Sequence, residues 1–410
     1  MEKHFVICSM VKKLFGSENK AIFVHRIFVL FALVVVTDVI ADEWNILVLR
    51  VDFPIENPDQ LTTTGIGSFD LRSPEVARSD SGYVLPYDLP PHDAFYFDHH
   101  LQSLARYYDT VSEGRIAIDY SIYPKAVAGA YTLPKPMLHY GNGRSTKEIG
   151  TRWIELLEDS FELARIDKDG PDFSDFNSFL IIHAGVGHET GQLNDIRSVF
   201  LQERDFLKFR DGPILIDGIQ VDSAWILPET PSQTGRGGLN GLMAKFFGNQ
   251  LGLPGMSNFT DGLPALGGWS LMDVGANALG FVRGDSLDPV VGFVPPHPMA
   301  WSKAQLEWID PLVVVRDSVL TIAATDRESQ FPKAIRIPIN RTEYFLMEYR
   351  RQRANLGTPD GLQVKGVDDE KVLWLDPSQI QFSGDNEGVW LGVEEYDSFI
   401  PGSGLLIWHI

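Results

Sequence analysis

Three groups of side chains in this chain have the types and spacing to hold a metal ion. In Ile181-Ile182-His183-Ala184-Gly185-Val186-Gly187-His188-Glu189, two imidazoles five positions apart and an adjoining carboxylate surround a glycine-containing turn. That is a zinc-like donor set if the turn folds back on itself. The alternative is a strand-end histidine and a loop histidine with ordinary hydrogen bonds, because this spacing does not by itself make the donors converge. His92, His99 and His100 stand around Asp93 and Asp98 as a second cluster; a solvated loop and helix start explains them equally well. Asp167-Lys168-Asp169-Gly170-Pro171-Asp172 places carboxylates at alternating positions and a third after a glycine, an oxygen-only set that suits calcium, with Glu189 as a further carboxylate. It lacks the bidentate glutamate that closes an EF-hand loop, and an acidic turn between helix and strand accounts for it as well.

Other chemistries find little footing. There is no G-x-S-x-G elbow and no P-loop, and the single cysteine, Cys8, lies near the N-terminus. Gly235, Gly237, Gly238 and Gly241 have no βαβ unit around them, which argues against a dinucleotide site. Trp269, Trp301 and Trp308 could line a cleft, although large aromatics more often fill cores. Thirty-five basic against 55 acidic residues give a formal charge of −20, which repels nucleic acid and anionic lipid and excludes a nucleic-acid role.

The elements that must position these residues can be read from periodicity. Asn45 to Phe53 is a branched apolar run expected as a buried strand; residues 55 to 93 read as a long, turn-rich insertion. Helical spacing covers Phe97 to Tyr108 and Lys147 to Ile166, Ile116 to Ile122 alternates like a strand, and Phe179 to His183 is a further strand. Leu239 to Leu251 is predicted as a helix ended by Gly252-Leu253-Pro254, a glycine able to take left-handed geometry followed by a proline that cannot continue the turn. Beyond Pro311 come short strands, Leu312 to Val315, Val319 to Ala323, Ala334 to Ile337 and Tyr344 to Tyr349. The fold class is therefore α+β, a mixed α/β arrangement, with one unit over 42–310 and a β-rich region over 311–410. Residues 1–41 read as a secretory signal: Ile27 to Val36 is too short to span a bilayer, follows Lys12, Lys13, Lys20 and Arg26, and precedes Val39-Ile40-Ala41. A secreted or extracellular chain without stable membrane insertion is expected, and one without a disulfide once Cys8 has gone. The apolar run Gly404 to Ile410 has no polar tail, so the natural chain is expected to continue.

Several segments resemble the immune inhibitor A family of secreted metallopeptidases, the M-six peptidases. Tyr107-Tyr108-Asp109-Thr110-Val111-Ser112-Glu113-Gly114-Arg115 is similar to that family's "yY-x-x-V-S-x-G-k" segment, and Tyr131-Thr132-Leu133-Pro134, Pro136-Met137 and Tyr140-Gly141 to the stretch after it. The His183 to Glu189 segment resembles "vHAG-x-G-x-E", and Gly268-Trp269-Ser270-Leu271-Met272-Asp273 the "W-x-L-M" turn. Ala300 to Trp308, Glu343 to Glu348 and Gly404 to His409 carry the resemblance towards the C-terminus. It implies a zincin-like domain in which the helix Leu239 to Leu251 would present H-E-x-x-H, two histidines gripping zinc and a glutamate activating its water. In that register the chain has Lys245, Phe246 and Asn249, and the family's further carboxylate maps to Gly255. An ammonium has no lone pair for zinc, an amide oxygen is a weak ligand, and phenylalanine cannot take a proton. The resemblance therefore implies a metallopeptidase-like protein with a degenerate site, zinc not expected and calcium possible at Asp167, Asp169, Asp172 and Glu189, binding a peptide or protein without hydrolysing it. The competing readings are an active metalloendopeptidase with a relocated metal and a purely structural domain.

Overall fold

The computed structural model describes residues 3–7, 41–79, 83, 85–232, 235–257, 262–359, 372–384 and 388–410. The apolar run Ile27 to Val36 lies outside the described residues. Among the described residues no helix is long and apolar enough to cross a membrane.

The first half is organised by one sheet. Strand β1 (Asp42–Asp52) is followed by helix α1 (Ala94–Ser112), β2 (Ile116–Tyr123), helix α2 (Thr146–Ile166), β3 (Ser178–Val186), β4 (Val199–Leu201), β5 (Ala224–Thr230) and helix α3 (Leu239–Gln250). Their order in the sheet is β2-β1-β3-β5-β4. β1 runs parallel to β2 and β3, and β3 parallel to β5, while β4 is an antiparallel edge strand. Parallel strands are covered on both faces, and β3 and β5 are buried along their whole length, with apolar cores at Phe179–Ile182 and Ala224–Leu227.

The helices form where local and tertiary signals agree. Asp93 caps α1 by accepting from the backbone N–H groups of Phe95 and Tyr96, and α1 buries Phe97, Leu101, Leu104, Tyr108 and Val111 at helical spacing. Ser145 and Glu148 close a capping box at the start of α2. Helix α3 lies against β4 and β5, and the Tyr108 hydroxyl donates to the Ala244 carbonyl at 2.6 Å, joining α1 to α3. Gly252, at φ +92°, lets the chain leave α3, as the sequence predicts. Gly241 sits so close to the next segment that a Cβ there would overlap the Ala276 carbonyl oxygen, and its N–H donates to Gly292 at 2.7 Å. Gly241→Ala should therefore cost about 1–3 kcal/mol through overpacking, read as a lower urea midpoint; an unchanged midpoint would mean that this contact relaxes freely.

The rest of the chain is strand-rich. β6 (Leu279–Arg283) and β7 (Leu287–Val291) form a hairpin, and β8 (Ala334–Pro338), β9 (Tyr344–Arg350), β10 (Leu373–Leu375), β11 (Trp390–Val393) and β12 (Gly404–His409) follow. β8, β9 and β12 make an antiparallel sheet, and β10 pairs in parallel with β6. Helices thus coexist with strands that form several sheets, the mixed class expected. The core is continuous: Trp390, Tyr396 and Phe399 belong to the same buried cluster as Ile46 to Val51 and Phe247.

Candidate functional site

Helix α3 and the segment just after it carry the four positions at which the resemblance would place a metal and its base, Lys245, Phe246 and Asn249 on the helix and Gly255 beyond it. Lys245 is largely buried and its Nζ donates to the Asp273 carbonyl at 3.3 Å. Burial pulls its ammonium below the ordinary lysine value, the nearby Asp273 carboxylate partly opposing. That carboxylate is itself buried, accepting from the N–H groups of Leu266 at 2.7 Å and Gly267 at 2.9 Å. Phe246 packs against the core. Asn249 donates its amide to the Leu253 carbonyl at 2.9 Å, so it finishes the helix. Gly255 is exposed, with no heavy atom within 4 Å of where a Cβ would lie. A cationic side chain, an aromatic ring, a capping amide and a bare glycine do not fit zinc, whose ligands must offer lone pairs.

The second polar centre lies beneath the carboxyl ends of β3 and β5, where open parallel sheets place their crevices. Glu229, near the end of β5, is buried; its Oε1 accepts from Asp70 N at 2.6 Å and bonds His92 Nδ1 at 2.7 Å, and its Oε2 accepts from Gly185 N at 2.8 Å. Burial lowers the proton affinity of His92, but the hydrogen bond and charge of Glu229 outweigh it and hold the imidazole above its usual value. Glu229 lines a cavity of about 610 Å³ together with Thr64, Ile66, Phe69, Leu71, Arg72 and Val186. On the other side, His92 Nε2 bonds the Asp88 carbonyl at 3.2 Å, and Tyr96 and His100 follow His92 at four-residue intervals on one face of α1. Asp88 and His100 are fully buried, with His100 Nε2 3.7 Å from Asp88 Oδ2, too long for a hydrogen bond. Burial pushes the Asp88 carboxyl up to about 8, His92 opposing, and pulls His100 down to about 3.

The other sequence candidates disperse. Among the described residues no three of His, Cys, Asp and Glu come together to hold a metal. His183 is buried in β3 with Nδ1 donating to the Ala184 carbonyl at 2.9 Å; His188 is half-buried, and exposed Glu189 accepts from Ser198 N at 2.9 Å. Asp93 is the α1 cap, and Asp98 accepts from Gln102 and Tyr120. Asp167 accepts from the Tyr131 hydroxyl at 2.8 Å, Asp172 caps the turn at Ser174, and Asp169 is exposed, an arrangement that also serves as an acidic turn. Asp88, Glu229, Tyr96 and Asn240 went unread in the sequence. The i, i+4, i+8 spacing of His92, Tyr96 and His100 was visible there, and so was an acidic residue closing an apolar strand.

Burial pulls His183 down to about 4, its hydrogen bond to Ala184 opposing, against an unfolded histidine near ~6.5. The stability that neutral His183 confers is therefore complete above about pH 6.5 and is lost as pH falls towards 4, on the order of 3 kcal/mol. Urea midpoints taken from pH 7 to 4 should fall less steeply in His183→Gln than in the parent; parallel slopes would place the acid sensitivity elsewhere.

No known family model matches the chain, and no curated protein matches it.

Proposed function

We propose that this chain is a secreted, metallopeptidase-like protein that binds peptides or an extended segment of a partner protein without hydrolysing them. Lys245 carries the reading. Its ammonium stands in the register of a zinc-binding histidine and is tied to the Asp273 carbonyl, so a positive charge is already seated where the ion would be required. No group at Phe246 can activate water.

Binding is supported by the edge of the sheet. β4 is antiparallel to β5, has no strand on its outer side among the described residues, and lies beside α3. An open strand edge offers N–H and C=O groups to an extended peptide, whose alternate side chains could then reach the neighbouring surface. The acidic surface charge favours basic or neutral partners.

The test is to incubate residues 42–410 with unfolded casein and a labelled peptide library, with zinc and with chelator. Peptide retention without cleavage in either condition is expected. Cleavage that chelator abolishes would overturn the proposal in favour of an active enzyme, and neither binding nor cleavage would leave a structural domain.

A further inference from the structure

The polar cluster behind Glu229 contains donors that the protein leaves unused. Both carboxylate oxygens of Asp88, both ring nitrogens of His100, the Tyr96 hydroxyl and the Asn240 amide oxygen are buried without a hydrogen-bond partner. Buried polar atoms are rarely left so, and an unpaired carboxylate is among the costliest. The orientation of Asn240 is fixed: its amide nitrogen donates to Ser103 Oγ at 2.6 Å and to the Trp390 carbonyl at 2.7 Å, and a carbonyl can only accept. Its oxygen is therefore the atom turned towards His100, close enough to favour the protonated imidazole but outside hydrogen-bond geometry. Tyr96 packs edge-on against His100, ring centroids 4.6 Å apart.

We infer that Asp88 and His100, with the Asn240 amide oxygen, form a buried site for a divalent transition-metal ion of the manganese-to-zinc class. The 3.7 Å between His100 Nε2 and Asp88 Oδ2 is long for a hydrogen bond and close to what two ligands on one ion require. Bonds of about 2.0–2.2 Å at tetrahedral angles separate donors by roughly 3.3–3.6 Å. One imidazole with oxygen donors selects this class over magnesium or calcium, which prefer all-oxygen shells. Asp88 sits in the insertion, at a left-handed φ of +49°, His100 on α1 and Asn240 on the first turn of α3. The ion would tie these three elements together. Its donors are buried, and it stands independently of the function proposed above.

The chelator-stripped full chain is titrated with Co²⁺ and followed by visible absorption. One equivalent giving a ligand-field band that Zn²⁺ displaces is expected, with the band lost in Asp88→Asn and His100→Gln and kept in Asp167→Asn. Because a variant could fail to fold, a zinc-soaked crystal of the unaltered chain decides the position by anomalous scattering between Asp88 and His100. No retained Co²⁺, a band surviving both substitutions, or an anomalous peak elsewhere would overturn the site.

Discussion

Lys245→His, Asn249→His and Gly255→Asp together should give the chain one zinc ion more than the parent after dialysis. Residues 245 and 249 are one helical turn apart, so two imidazoles there share a face. Gly255 has open space for a side chain just beyond the α3 terminus. The change removes the Lys245 tie to Asp273 and the Asn249 cap, each worth about 1 kcal/mol, losses that zinc binding should exceed. Phe246 is left in place because it packs against the core and has no part in holding the ion. The expected product binds zinc and still cleaves nothing, since no base has been supplied. Metal content by elemental mass spectrometry is the check. A triple variant that folds and holds no additional zinc would mean that α3 and the segment after it are not arranged as a metal-site scaffold, and would remove the main support for the proposed function.

Asp397→Asn should destabilise the protein by about 3–5 kcal/mol, the usual cost of leaving one member of a buried ion pair uncompensated. Arg350 at the end of β9 and Asp397 are both fully buried, with Arg350 Nε donating to Asp397 Oδ2 at 2.6 Å and a second nitrogen to Oδ1 at 2.5 Å. Two further guanidinium hydrogens go to the carbonyls of Trp269 and His297, and Asp397 Oδ1 also accepts from His297 N at 3.0 Å. The pair therefore links the last antiparallel sheet to the loop that carries Asp273. Denaturant unfolding measures the loss; a change under 1 kcal/mol would mean that Glu348, 3.7 Å from Arg350, takes over the charge.

The central elements were legible because their signals are local. The apolar run expected from Asn45 is β1 from Asp42, the expected helix of 147–166 is α2 of 146–166, and the strand at Phe179 extends to Val186. Boundaries moved by a few residues, where caps rather than periodicity decide. β4 and β5 were missed: Val199–Leu201 is apolar but too short to show a period, and the apolar start of β5 runs into Pro228, Glu229 and Thr230. The polar centre was half legible. Its histidines were seen, but they were grouped with Asp93 and Asp98, neighbours in sequence that serve a cap and a hydroxyl. The actual neighbours, Asp88 and Glu229, lie on a left-handed turn and a distant strand, positions that only the packing of the insertion against β5 brings together. In the same way Lys245 was read as a loss of chemistry; that it has acquired a partner of its own in Asp273 depends on a loop more than twenty residues away.

The shared core has a practical consequence for anyone dissecting this chain. Trp390, Tyr396 and Phe399 are packed with the residues of β1 and α3, and a Cβ on Gly280 would collide with the Phe399 ring. A cut beside the exposed Val315 would therefore not release a self-sufficient N-terminal piece, for it would strip aromatic packing from the cluster it left behind. Nicked protein should stay associated under native conditions, and its two pieces should melt in a single transition.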